Sequence, residues 1–277
     1  MLTVDRIIKN ALEEDLGWGD VTTDSTIPEG TAIKGLFIAK EQGVVCGIEV
    51  CKRVYEIMDG SIAFEILIAD GLKAQKGDVI AQISGPARSI LKGERVSLNL
   101  LQRMSGIATA ANKYAEAVQG TTARVVDTRK TIPGLRILDK YSVLTGGCHN
   151  HRFNLSDLVL IKDNHIKAAG GITPAVKSAK EKLSHALKIE VEVESLEQLK
   201  EALTAGADII MLDNMSLEMM REAVQLAKGK AQLEASGNVT LEGIRSVKAI
   251  AQTGVDIISV GELTHSVLAM DISLRFV

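Results

Sequence analysis

The sequence predicts an α/β protein in which a small N-terminal α+β sandwich domain precedes an incomplete, six- or seven-stranded parallel β/α barrel. Three observations carry that expectation. From Ala123 onward, short β-branched runs alternate with longer helical patterns, the signature of strand–helix crossovers and a parallel sheet. Each of those runs ends in polar or charged residues. The first hundred residues instead hold closely spaced strand-like runs divided by glycine-containing turns, which favours antiparallel pairing.

The elements follow in order. MLTVDRIIKNALEED carries a charge every few positions and reads as an amphipathic helix, not as an export signal. TAIKGLFIAK, GVVCGIEV, SIAFEILIAD and GDVIAQISG are strand-like, with one helix around Val50–Met58. A helical stretch from about Ser89 to Val118 leads into the second part. There the strand candidates are ARVVDT, DLVLIKD, KIEVEVE, DIIMLDN, QLEASG and DIISVG. Helix starts are expected at Thr173-Pro174, at Ser195 with Gln198 as a capping box, and at Ser216 and Thr240 as N-caps. Pro133 is expected to open another. The domains expected are 1–105 and 106–277, with a C-terminal tail, 270–277, able to pack back on the first.

The polar strand endings decide between an open and a closed sheet. They are Asp127-Thr128-Arg129-Lys130, Lys162-Asp163-Asn164, Glu192 and Glu194, Asp213-Asn214, Ser236-Gly237-Asn238, and Ser259 with Gly261. In a barrel all C-terminal strand ends meet at one mouth, whereas an open sheet concentrates its site at one switch point. An eight-unit barrel needs about 250 residues, more than 106–277 supplies, hence the shortened count.

Composition limits the function classes. Lys and Arg number 32 against 35 Asp and Glu, so the net charge of -3 argues against a protein that coats nucleic acid. With 46% apolar residues the chain is not disordered, and with only 3% aromatics its core is expected to be aliphatic. Cys46, Cys51 and Cys148 form no C-x-x-C pair, which points to a reducing compartment without disulfide or structural zinc. No apolar run reaches the roughly 18 residues of a membrane span. A cytoplasmic globular protein is expected.

The chemistry concentrates in a few segments. D127-T-R-K-T-I-P-G-L-R136 sets Arg129 and Lys130 at a strand end, suited to an anionic ligand. Arg152, Lys162 and Arg95 are further cations in comparable places. Lys162 follows four apolar residues, so it needs an anion or must lose its proton. In Ile189-Glu190-Val191-Glu192-Val193-Glu194 the acids share one strand face and need counter-cations or a metal. A structural pairing of Glu190 with Lys or Arg is the plainer reading for that residue. Asp213 ends the next strand beside Glu192 or Glu194, and oxygen-only ligands suit Mg²⁺. Small residues at Ser236-Gly237-Asn238 and Ser259-Val260-Gly261 suit a phosphate. His149-x-His151 invites zinc, but it follows a helix stop and lacks the later histidines of barrel metallohydrolases. A Schiff-base aldolase using Lys162 is the alternative from another enzyme class.

These motifs resemble the quinolinate phosphoribosyltransferase family over nearly the whole length. The resemblance rests on EDLGWGDVTTD, ERVSLNLLQRMSGIAT, DTRKTIPGLR, KYSVLTGGCHNHRFNLSD, LIKDNH, IEVEVES, MLDN, EASGNVT and VGELTHS. It implies the sandwich-plus-barrel fold and a homodimer with shared active sites, able to assemble further. It also implies the reaction: quinolinate and phosphoribosyl pyrophosphate give nicotinate mononucleotide, pyrophosphate and CO₂, in NAD biosynthesis. It implies that Arg129, His151, Arg152 and Lys162 bind quinolinate, with Arg95 arriving from the partner subunit. Lys130 would contact both substrates. Glu192 and Asp213 would lie near the ribose and Mg²⁺, making Lys130, Glu192 and Asp213 the catalytic set. Ser236, Gly237, Asn238, Ser259, Gly261 and His265 fall in the segments expected to hold the 5′-phosphate. Asn238 stands where the family often has glycine, and asparagine tolerates the left-handed conformation.

Overall fold

The structure, a computed structural model, describes residues 2–277. The chain opens with helices α1 (Leu2–Leu16) and α2 (Val21–Thr26), strands β1 (Ala32–Ala39) and β2 (Gly43–Val44), and helix α3 (Ile48–Met58). Strands β3 (Ala63–Ile66), β4 (Lys73–Ala74) and β5 (Val79–Pro86) lead into the long helix α4 (Ala87–Ala117). After β6 (Arg124–Val126), α5 (Arg136–Thr145) and β7 (Val159–Ile161) come α6 (Asp163–Ala169) and α7 (Ile172–Lys182). Strict alternation then runs through β8 (Ile189–Val193), α8 (Leu196–Ala205), β9 (Ile209–Asp213), α9 (Leu217–Ala227), β10 (Gln232–Ser236), α10 (Val247–Ala251) and β11 (Ile257–Ser259). The short α11 (Glu262–His265) and β12 (Ile272–Phe276) end the chain.

These elements form two compact units. One takes the chain up to Asn112, Thr131–Gly147 and Leu263–Val277; the other takes Lys113–Lys130 and Cys148–Glu262. The first holds an antiparallel sheet in the order β12-β1-β5-β3. The C-terminal strand β12 lies against β1 from Gly35↔Phe276 to Ala39↔Ile272. Its core is largely aliphatic, as expected, with a small aromatic cluster inside it. The rings of Phe37 and Tyr55 meet edge-on at 6.2 Å, and Tyr55 stacks on Phe64 at 5.9 Å. Three of the eight aromatics thus gather on this sheet, where large rings fill the most volume per residue. The buried Tyr55 hydroxyl is satisfied by Ser97 Oγ at 2.9 Å.

The second unit holds six parallel strands in the order β6-β11-β10-β9-β8-β7. β6 and β7 are its two edges, and a one-residue bridge from His149 extends the β6 side. One device recurs at the strand starts. Asp208 Oδ2 accepts from the Ile189 N–H, and Asp256 Oδ2 accepts from the Leu233 N–H, both at 2.8 Å. An aspartate ahead of one strand thereby takes up an N–H at the start of its neighbour, which would otherwise be left unpaired.

Helix starts follow hydroxyl caps at Ser195 and Ser216, whose side chains accept from the N–H groups of Gln198 and Met219. Three expected starts are corrected. α7 begins at Ile172 behind Gly171, and the Thr173 hydroxyl bonds Glu201 at 2.8 Å instead of capping. Pro133 lies in a turn before α5, which starts at Arg136. Thr240 opens no helix; Ser246 caps α10 six residues later. Both Thr240 and Ser246 are suitable caps, and the loop between them decides which one is used.

Candidate active site

The polar strand ends of the second unit follow from the two-residue alternation of its strands. On β8 the glutamates share a face but not a depth. Glu190 is fully buried, the Glu192 side chain is 14% exposed, and Glu194 is exposed beyond the strand end. Lys162, just past β7, places its Nζ 2.7 Å from Glu192 Oε2. The lysine is exposed, so the anion it meets lies near solvent and not in a sealed core. The His165 ring accepts from the Lys162 backbone N–H at 2.9 Å, fixing the turn from β7 into α6.

His151 is held from three sides. Its backbone N–H donates to the buried Asp127 Oδ1 at 2.8 Å. Its Nδ1 accepts from the Arg152 N–H at 2.8 Å. Its Nε2 lies 3.3 Å from Glu190 and 3.2 Å from Glu234, both fully buried. An N–H aimed at Nδ1 leaves the ring proton on Nε2, directed at the two carboxylates. Desolvation lowers the imidazole pKa, but hydrogen bonds to Glu190 and Glu234 outweigh it and raise His151 to about 10. Burial, then the Glu234 charge, pushes the Glu190 acid upward. The cluster therefore retains a proton at neutral pH.

These three side chains are also the one group of three or more close enough to hold a metal among the described residues. The tautomer argues against it, since an Nε2 that carries a proton has no lone pair for an ion. Glu192 and Asp213 are the donors that could hold Mg²⁺. Both are partly exposed oxygen donors at the ends of neighbouring strands, and a ligand's phosphates can complete the shell.

The cations lie around this set. Arg129 and Lys130 are exposed past the end of β6, where Thr128 Oγ1 accepts from the Lys130 N–H at 3.0 Å. Arg152 donates to the Leu158 carbonyl at 3.1 Å. Its pKa is lowered from the usual guanidinium value, first by burial and then by the charge of Arg129. The two arginines thus repel one another, an arrangement that an anion between them would relieve.

The last two strand ends differ from each other. After β10, Gly237 and Asn238 adopt left-handed conformations with φ of 90° and 50°. A Cβ on Gly237 would meet Asn214 Oδ1 at 2.2 Å, so only glycine fits. Asn214, also left-handed at φ 53°, donates to Asp213 at 2.9 Å and accepts from Asn238 Nδ2 at 3.1 Å. Ser259, by contrast, is buried with its hydroxyl 3.5 Å from the Ala235 carbonyl, while Gly261 is partly exposed. Arg95 and His265 belong to the first unit and are exposed; His265 Nδ1 lies 2.7 Å from Ser266 Oγ.

Sequence reasoning missed Glu234, Asn214 and Arg245. Glu234 was within reach, because it shares its strand face with Ser236 two residues on.

The quinolinate phosphoribosyl transferase N-terminal domain family matches residues 20–105, and the C-terminal domain family matches 107–275. A probable nicotinate-nucleotide pyrophosphorylase [carboxylating] of Bacillus subtilis is 42% identical, over 99% of this chain and 93% of that one. The chloroplastic nicotinate-nucleotide pyrophosphorylase [carboxylating] of Arabidopsis thaliana is 46% identical, covering 97% and 81%. The crystal structure of NadC from Streptococcus pyogenes superposes with a TM-score of 0.93 at 40% identity, covering 100% and 98%. With both domain families matched in order along its length, the chain belongs to the quinolinate phosphoribosyltransferase family.

Proposed function

We propose that the chain transfers the phosphoribosyl group of phosphoribosyl pyrophosphate to quinolinate with loss of CO₂, giving nicotinate mononucleotide and pyrophosphate. The observation that carries this reading is the gathering of charge at the strand ends: Arg129 and Lys130 are exposed just past β6, and Lys162 meets Glu192 at 2.7 Å near solvent. Quinolinate brings two carboxylates, and the second substrate brings a diphosphate. Arg129, Arg152 and Lys162 would bind the carboxylates, and Lys130 would offset the repulsion between the two anions. His151 would serve through its hold on the Arg152 backbone, since both its ring nitrogens are engaged.

With quinolinate fixed, its ring nitrogen attacks the ribose C1 and the C1–O bond to pyrophosphate breaks. Positive charge develops on the ribose, and Glu192 and Asp213 are placed to stabilise it. The new pyridinium draws the electron pair of the C2–carboxylate bond, CO₂ leaves, and C2 takes up a proton. Mg²⁺, when bound at Glu192 and Asp213, neutralises charge on the departing pyrophosphate. The Gly237-Asn238 loop would hold the 5′-phosphate, with Ser236, Ser259 and Gly261 nearby. The roles of His265, and of Arg95 across a homodimer interface that can assemble further, rest on family resemblance. A cytoplasmic location is the reading suggested by cysteines that form no disulfide pattern; no helix of the described residues is long and apolar enough to cross a membrane.

Lys162 does not favour the aldolase alternative, because it is exposed and committed to an ion pair with Glu192. The test is release of CO₂ from quinolinate labelled in its 2-carboxyl group. Release is expected only with phosphoribosyl pyrophosphate and Mg²⁺ present, and its absence in the complete mixture would reject the assignment.

A further inference from the structure

The loop after β10 depends on a side chain that the reaction itself does not call on. Arg245 is partly buried at the far end of the loop, and its guanidinium turns back toward the loop's start. Nε and Nη2 donate to the Gly237 carbonyl at 3.1 and 2.8 Å, and Nη2 also donates to the Ser236 carbonyl at 3.2 Å. Nη1 donates to the Met215 carbonyl, tying in the end of the neighbouring β9. The loop is closed a second time where the Val247 N–H donates to the Thr240 carbonyl at 2.8 Å.

The direction of those carbonyls matters. No peptide among the described residues is cis, and in a trans peptide the N–H points opposite to its C=O. The Ser236 carbonyl shares a peptide with the Gly237 N–H, and the Gly237 carbonyl shares one with the Asn238 N–H. The Gly237 carbonyl is held by Arg245, and the Ser236 carbonyl by Arg245 together with the Asn214 N–H at 3.1 Å, so both peptide N–H groups face away from the guanidinium. Among the described residues neither has an acceptor. Two successive N–H groups on left-handed backbone at a strand end are suited to an anion.

We propose that Arg245 is a positioning residue for phosphate recognition: by gathering the Ser236, Gly237 and Met215 carbonyls, it turns the Gly237 and Asn238 N–H groups outward as a receptor for the substrate's terminal phosphate. This rests on the reading that the loop takes the 5′-phosphate. Arg245 contacts no substrate in this arrangement. Its planar fork spans three carbonyls, which a lysine ammonium on a flexible stem cannot do. Arg245→Lys therefore keeps the charge and removes the geometry.

Calorimetry on the full-length protein with ribose 5-phosphate and with ribose separates the two claims. Wild type should prefer the phosphorylated sugar, and equal binding of the two would reject the phosphate reading itself. In Arg245→Lys, ribose 5-phosphate should bind about tenfold more weakly while quinolinate binding is unchanged. In turnover, KM for phosphoribosyl pyrophosphate should rise with kcat within about twofold. A variant that keeps the wild-type preference, or loses kcat and quinolinate binding equally, overturns the role of Arg245. If the variant does not fold, the wild-type Gly237 amide resonance decides. It should shift on adding ribose 5-phosphate and not ribose, and an unmoved signal overturns the proposal.

Discussion

Strand β8 carries the same residue in two different settings, only one alternation apart. Glu190 is sealed in the barrel interior with Glu234 and His151, whereas Glu192 faces Lys162 near solvent. The separation along the strand is about 6.6 Å. Within that distance a carboxylate changes from a structural charge, which must be neutralised before the chain can fold, to one available for ligands. Depth along a barrel strand, more than residue type, divides stability from chemistry here.

The sharpest way to break that division is His151→Leu. It leaves two buried carboxylates without their shared donor, and unfolding free energy should fall by about 3–5 kcal/mol. Urea denaturation followed by circular dichroism measures it, and a loss below 1 kcal/mol would mean the cluster is well hydrated. Lys162→Met tests the other depth. The exposed pair should cost at most about 1 kcal/mol of stability, yet kcat/KM for quinolinate should drop about 100-fold. A stability loss as large as that of His151→Leu would erase the distinction.

A smaller effect is expected from pH. His151 has a folded pKa raised from 6.5 to about 10, so the stability it contributes is fully present below pH 6.5 and is lost as pH rises through about 10. Because the Arg152 N–H occupies Nδ1, the extra proton is shared with the Glu190–Glu234 pair, whose Glu190 acid is also pushed upward, and the direction of the effect is the same. Urea midpoints at pH 7, 8.5 and 10 should fall in wild type and flatten in Glu234→Gln. A flat wild-type profile would count against the raised value.

Much of the fold was legible because local and global signals agree. The six β-branched runs with polar ends all became strands of one parallel sheet, since their alternation and their crossovers point the same way. The small aromatic cluster within the aliphatic core of the first unit was not legible, because composition counts rings without placing them. At the site, the strand-end positions were legible and the partnerships were not. Glu190 and Glu234 lie on strands separated by β9, so no sequence spacing links either of them to His151. Arg245 was hidden by the expectation of a helix from Thr240, which would place it within a helix and not at the end of a loop returning to Gly237.

The fit of Gly237 against Asn214 constrains how this sequence can vary. Alanine at position 237 collides with the Asn214 amide at 2.2 Å, and Asn214 in turn joins Asp213 to Asn238. Any side chain at 237 has to push the Asn214 amide aside on backbone held at φ 90°, and moving that amide breaks its bonds to Asp213 and Asn238. The two positions are therefore coupled, and a change at either is felt at Asp213.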